Sequence, residues 1–299
     1  MNRKRKANPI IVIFSIAIVL VLITIAVVYM MGGRFTTLAN GAKFMGEWDN
    51  NQPITGTIKY QNGTEATIDY FSKTITYNNG DVYTGDIVGG CRHGQGVMKY
   101  SATGDVYEGT FVNDEITGTG TFKYANGDVY QGAIQNSKKH GYGVFTYANG
   151  NTYEGEYEND VRSGKGEFTW GESGAKYTGD FANDLKNGEG VMIYENGDRY
   201  DGQFKDDMRH GNGNYFWSNG EHYNGTFINN LMDTRLIDDK GNFSLTVTGE
   251  YIHGANGIYT FATGRKFTGA FLEGKAVIID GSQISVPEND TSDYSESPQ

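Results

Sequence analysis

At 299 residues the chain is long enough for two ordinary domains, yet it holds 43 Gly, about twice the usual share, with 21 Tyr, only 4 Pro and one Cys. Collagen needs glycine at every third position with abundant proline, disordered chains are poor in aromatics, and a single cysteine cannot build a disulfide scaffold. So much glycine also argues against a helical bundle, and a net charge of −11 argues against nucleic acid as a partner.

Residues 1–9 form a basic tail with Arg3, Lys4, Arg5 and Lys6. From Ile10 to Met31 no residue is charged. As a helix this run spans roughly 33 Å, enough for a bilayer core of about 30 Å. The run is longer than the apolar core of a cleaved signal peptide, and no small-x-small site comes after it. Residues 10–31 are therefore expected to form a transmembrane helix that anchors the chain. The positive-inside bias places the N-terminus in the cytoplasm and the remainder outside it. Those first residues hold four of the 25 basic residues and none of the 36 acidic ones, so the remainder is more acidic than the whole. Such a surface favours basic protein partners or neutral glycans. Residues 32–43 read as a linker.

A repeat fills most of the remaining chain. Tyr-x-Gly recurs at Tyr83, Tyr107, Tyr130, Tyr153, Tyr177, Tyr200 and Tyr223, in steps of 23 or 24 residues. Each complete unit also carries Gly-x-Gly: Gly94/Gly96, Gly118/Gly120, Gly141/Gly143, Gly164/Gly166, Gly188/Gly190 and Gly211/Gly213. Asn-Gly separates most units, as at Asn126-Gly127, Asn149-Gly150, Asn196-Gly197 and Asn219-Gly220, with Thr103-Gly104 and Ser173-Gly174 in the same place. Asn-Gly suits a two-residue type I′ turn, so each unit is expected to be two short antiparallel strands. Parity supports this. Tyr153, Gly155 and Tyr157, then Gly164, Gly166, Phe168 and Trp170, fall on one face by period two. The glycines on that face either leave slots for aromatic rings or take a positive φ at bulges.

The pattern Tyr-x-Gly-x-Phe, a variable stretch, then Gly-x-Gly-x-Phe-x-Tyr and Asn-Gly resembles the MORN repeat (membrane occupation and recognition nexus). The resemblance is clear over residues 83–222 and degenerate over the rest of 44–281. Phe44-Met45-Gly46, Val247-Thr248-Gly249 and Phe267-Thr268-Gly269 continue it, whereas Thr64 to Thr76 and Leu231 to Leu245 depart from it. The resemblance implies an all-β, elongated and twisted antiparallel sheet of stacked hairpins that scaffolds or binds. Residues 282–299 read as a disordered acidic tail.

Candidate chemistry is sparse. His93, His140 and His210 share one repeat position, but two units separate the first pair by about 19 Å, far beyond a metal's ligand distance of ~2.1 Å. Gly269 to Ala276 resembles a phosphate loop but lacks the hydroxyl after Lys275. Cys91 and His93 are close in sequence without a third partner. Asp81, Asp128 and Asp198 stand after Asn-Gly as turn-closing residues do. Asn62 and Asn224 stand in glycosylation triplets. No catalytic residue, metal or cofactor is expected, and the chain is not expected to be an enzyme. The expected function is a membrane-anchored scaffold with an unidentified protein partner. The candidate binding face is the aromatic row Tyr107, Tyr124, Tyr130, Tyr147, Tyr153, Trp170, Tyr177, Tyr194, Tyr200 and Trp217. With no second layer to cover them, these rings either cover one another or line a groove. A carbohydrate or cell-wall module using the same rings is the alternative.

Overall fold

The computed structural model describes residues 33–38, 40–50, 52–236, 254, 256–277 and 283–284. The expected anchor at 10–31, the basic tail at 1–9, Val247-Thr248-Gly249 and most of the acidic tail lie outside the described residues. Among the described residues no helix is long and apolar enough to cross a membrane. All regular structure there is antiparallel β, in two compact units that divide between Ala125 and Asn126.

The first unit runs through β1 (Gly33–Thr37), β2 (Lys43–Asp49), β3 (Gln52–Lys59), β4 (Glu65–Asp69), β5 (Thr74–Tyr77), β6 (Val82–Val88), β7 (Cys91–Lys99), β8 (Val106–Val112) and β9 (Glu115–Lys123). Each strand pairs with the next. Phe44 of β2 plays the part of the repeat tyrosine: a Cβ at Gly46 or Gly56 would lie 2.7 or 2.8 Å from its ring. The departure at Thr64–Thr76 is the β4–β5 hairpin. It has no glycine slot, and its inner face is filled by buried Ala66, Ile68 and Ile75.

The second unit contains β10 (Val129–Gln135), β11 (Lys138–Thr146), β12 (Thr152–Glu158), β13 (Val161–Thr169), β14 (Lys176–Ala182), β15 (Leu185–Ile193), β16 (Arg199–Lys205), β17 (Met208–Phe216), β18 (His222–Ile228), β19 (Leu231–Met232), β20 (Gly257–Thr260), β21 (Lys266–Leu272), β22 (Lys275–Val277) and β23 (Gln283–Ile284). The departure after Leu231 proves to be an insertion inside one strand. β18 pairs with β19 through Phe227↔Met232 and with β20 through Tyr223↔Tyr259. Among the described residues the pairing of β18 passes from Met232 to Gly257, where the same repeat resumes. Asp233 and Thr234, both 1% exposed, stitch the point of departure to Thr226 and Phe271.

The turns differ from expectation. Around Asn149-Gly150, Tyr147 N donates to Asn151 O at 2.9 Å and Gly150 N donates to Tyr147 O at 2.9 Å, with positive φ at Gly150 alone. This is a three-residue loop, a type I turn closed by a glycine bulge, and not the two-residue type I′ turn. The 24-residue steps arise where that loop gains a fourth residue, as in Tyr100 N to Asp105 O and Trp170 N to Ala175 O. Type I′ turns do occur, at the opposite end of each hairpin. Asn159 and Asp160 have φ of 52° and 76°, and Asn113-Asp114 and Asn183-Asp184 behave alike. Their short polar side chains tolerate the left-handed region.

Candidate interaction face

One repeat shows how the face is built. In β12 and β13, Gly155 pairs with Gly166, then the register slips and Tyr157 pairs with Arg162. Gly164 sits in the slip with φ +66°, so the first glycine of Gly-x-Gly is the bulge residue. The second glycine does different work. A Cβ at Gly166 would lie 2.5 Å from Tyr153 Oη and 2.6 Å from its Cε2, because the Tyr153 ring lies flat across Gly155 and Gly166. The slip leaves the Glu156 carbonyl off the ladder, and Tyr153 Oη donates to it at 2.9 Å. That bond accounts for tyrosine at this position. Tyr130, Tyr177 and Tyr200 donate in the same way to Ala133, Asp180 and Gln203 at 2.7, 2.9 and 2.8 Å.

The buried rings interlock edge to face. Phe181 lies 5.1 Å from Tyr153 and 5.2 Å from Tyr177, Phe204 lies 5.0 Å from Tyr177 and 5.1 Å from Tyr200, and Phe227 lies 5.0 Å from Tyr200. Such pairs contribute about 0.5–1.5 kcal/mol each beyond area burial. This is how one sheet layer makes a core. Burial pushes the tyrosine hydroxyls up, to about 12 for Tyr83 and Tyr107 and further for Tyr153, Tyr177 and Tyr200.

A second feature lies outside the glycine and tyrosine motifs. The residue two before Gly-x-Gly is often basic, and it is buried among the rings. The Arg162 guanidinium lies 5.5 Å from Tyr153, 5.5 Å from Phe168 and 5.4 Å from Phe181. Its N and Nε donate to Asp184 Oδ1 at 2.9 and 3.0 Å, and Asp184 belongs to the type I′ turn of the next repeat. Arg92–Asp114 and Lys186–Asp207 repeat the arrangement. At Lys139 the backbone N donates to Asp160 at 2.9 Å, and burial holds the ammonium below its usual range against the pull of Asp160 and Asp184. Its trace in the sequence is a basic residue 21 or 22 positions before the turn aspartate. The Asn-Gly end has its own staple: Asp81, Asp128 and Asp198 accept from the backbone N of Ser101, Ala148 and Ser218 at 2.8, 2.7 and 2.8 Å.

The ten candidate residues thus divide. Tyr107, Tyr130, Tyr153, Tyr177 and Tyr200 are 0% exposed and form the core. Tyr124, Tyr147, Trp170, Tyr194 and Trp217 are half-buried. In the second unit they form an outer track: Tyr147 lies 4.5 Å from Phe145 and 6.0 Å from Phe168, Trp170 lies 4.6 Å from Phe168, and Trp217 lies 4.7 Å from Tyr215 and 5.3 Å from Tyr259. The inner rings therefore cover one another, and the outer rings lean on them while keeping part of their surface exposed.

The remaining candidates take structural places. Cys91 is buried, accepts from Asn40 Nδ2 at 3.1 Å, and its thiol is pushed up by burial, against thiolate formation. Gly269 seats the Phe267 ring, and the stretch to Ala276 is the β21–β22 hairpin. Among the described residues no cluster of His, Cys, Asp or Glu could hold a metal ion.

A sequence profile described as the MORN repeat matches residues 83–102, 107–129, 130–152, 153–174, 177–199 and 200–222. The chain carries six MORN repeats. In the structure each of these MORN repeats is one ring-slot hairpin with its bulge. No curated protein matches the chain. Among solved structures, the TCP10 domain of Danio rerio CPAP, in complex with a peptide of Danio rerio STIL, shares 11% identity over 85% of this chain and 97% of its own, with a TM-score of 0.40. The SAS-4 TCP domain of Drosophila melanogaster, in complex with a proline-rich motif of Ana2, shares 18% identity over 58% of this chain and 90% of its own, with a TM-score of 0.32. A streptogramin B lyase shares 13% over 85% and 89%, with a TM-score of 0.15. At TM-scores this low no property transfers.

Proposed function

We propose that this chain is a membrane-tethered MORN scaffold that holds a protein partner along the outer aromatic track and performs no catalysis. MORN repeats suggest an interaction role. The observation that supports the track is the half-buried ring at one fixed repeat position (Tyr147, Trp170, Tyr194, Trp217), beside a row of fully buried tyrosines. Large aromatics held on rigid strands are the residues that dominate protein interfaces. In this reading residues 10–31 anchor the chain, residues 1–9 face the cytoplasm and the repeats lie outside it.

The test is cross-linking in the protein's own cells with Tyr147→Ala, Trp170→Ala, Tyr194→Ala and Trp217→Ala, each alone and all together. Loss of the cross-linked protein with a cooperative melt retained is the expected result. Capture that survives the combined variant would sink the proposal. Protease shaving of intact cells checks topology: digestion of the repeats is expected, and their protection would reverse the orientation.

A further inference from the structure

The repeats carry an internal comparison. Where the residue two before Gly-x-Gly is basic, the second residue of the next type I′ turn is acidic: Arg92 with Asp114, Lys139 with Asp160, Arg162 with Asp184, Lys186 with Asp207. Where that residue is apolar the acid is missing: Ile116 precedes Ser137, and Met232 precedes Gly274. Arg209 breaks the rule, because its turn residue is Asn230.

The consequence is a buried cation without its carboxylate. Arg209 is 3% exposed, and its guanidinium carbon lies 4.9 Å from the Tyr215 ring, 5.7 Å from Phe227 and 5.9 Å from both Tyr194 and Tyr200. Its backbone N donates to Asn230 Oδ1 at 2.8 Å and Nη2 donates to Asn230 O at 2.9 Å. Nε and Nη1 are buried and find no acceptor among the described residues. The buried Asp198 carboxylate is engaged by Tyr215 Oη and Ser218 N, both at 2.8 Å. A buried guanidinium with open donors is costly until an anion reaches it. The same aromatic surroundings hold an aspartate beside Arg162, so carboxylate is the anion this cage fits.

We propose that Arg209 receives one carboxylate of the protein partner, an acidic side chain or a chain end, entering past Tyr194. Its two oxygens would take Nη1 and the remaining Nη2 hydrogen in the paired geometry that arginine favours. The proposal rests on the track reading, since Tyr194 belongs to that track.

Two variants have precedents in the chain itself. Asn230→Asp installs the acid of the other rungs, and Arg209→Met copies Met232 one repeat later. The probe is acetate, titrated into the full chain at constant ionic strength against chloride and tracked by the Arg209 Nε–Hε resonance and the melting temperature. The expected result is a saturable shift in the parent, weakened about tenfold or more in Asn230→Asp and absent in Arg209→Met, both of which stay folded. A shift that does not saturate, that chloride reproduces, or that Asn230→Asp leaves unchanged means an adventitious ion only and overturns the assignment. Loss of the partner by the combined track variant, alongside an acetate response that never saturates, would leave the track standing and remove Arg209 from it.

Discussion

Replacing Gly166 by alanine tests the ring slot directly. The new methyl carbon would lie 2.5 Å from Tyr153 Oη and 2.6 Å from Cε2. Comfortable carbon contacts begin near ~3.5 Å, so the ring must retreat by about 1 Å. It has no free direction, being 0% exposed and wedged 5.2 Å from Tyr157 and 5.1 Å from Phe181. Overpacking of this kind costs about 1–3 kcal/mol, and losing the hydroxyl's bond to Glu156 adds about 1. The expected loss is about 3 kcal/mol, or roughly 6–12 °C in Tm for a domain of this size. Gly174 is the control. Its φ is +71° and nothing lies within 4 Å of an added Cβ, so Gly174→Ala is charged only with left-handed backbone strain, about 1 kcal/mol. Tyr153→Phe, which removes the nearest clashing atom, should cost about 1 kcal/mol alone and less than its full share in the Gly166→Ala background. Thermal and urea melts of the four variants provide the measurement. Equal losses at Gly166 and Gly174, or strict additivity with Tyr153→Phe, would refute the ring slot as the reason for the second glycine.

The inter-repeat staple predicts a graded series at Asp184. Asn230 shows that an amide keeps the backbone bond, so Asp184→Asn should cost about 1 kcal/mol and Asp184→Ala about 2–3, read from urea midpoints; equal costs would contradict the staple. The tyrosine core predicts alkaline unfolding. Folded Tyr83 and Tyr107 keep their protons to about 12 against an ordinary 10.0, and the unfolded chain releases them first, so stability is full below about pH 10 and falls as pH rises towards 12. Each such tyrosine contributes a slope of about 1.4 kcal/mol per pH unit. Phenolate absorbance and circular dichroism should change together, and tyrosines ionising near 10 in an intact fold would refute the burial argument. Among single substitutions, Tyr153→Ala should abolish the cooperative melt and Tyr147→Ala should retain it, because only the first removes a fully buried ring, at about 3–5 kcal/mol.

The strands, their pairing and the aromatic face were legible because period-two alternation and two glycine motifs recur in phase. The turns were not fully legible. Asn-Gly is compatible with both a type I′ turn and a type I turn with a glycine bulge, and only the hydrogen bond from Tyr147 N to Asn151 O tells them apart. The two roles of the glycines could not be separated either, since Gly164 and Gly166 look alike until one shows a positive φ and the other a ring. The buried cations were missed because Arg162 and Lys186 fall outside the glycine and aromatic motifs that define the repeat. Their partners lie 22 and 21 positions on, in a turn whose acidity passes for ordinary turn chemistry.

The interruption after Met232 shows what the bulge permits. Between the bulge and the ring slot, the described partner of β18 changes from Met232 to Gly257, with Tyr223 still seated. The register slip interrupts the regular ladder with β18 at that point, while Thr234 N still donates to Phe271 O at 3.0 Å, so extra sequence is accommodated there with both flanking pairs kept. Every repeat has the same seam. Foreign sequence placed after Arg162 or Lys186 should be carried as an outgrowth of the sheet, and a repeat array with such seams can acquire new modules internally as readily as at its ends.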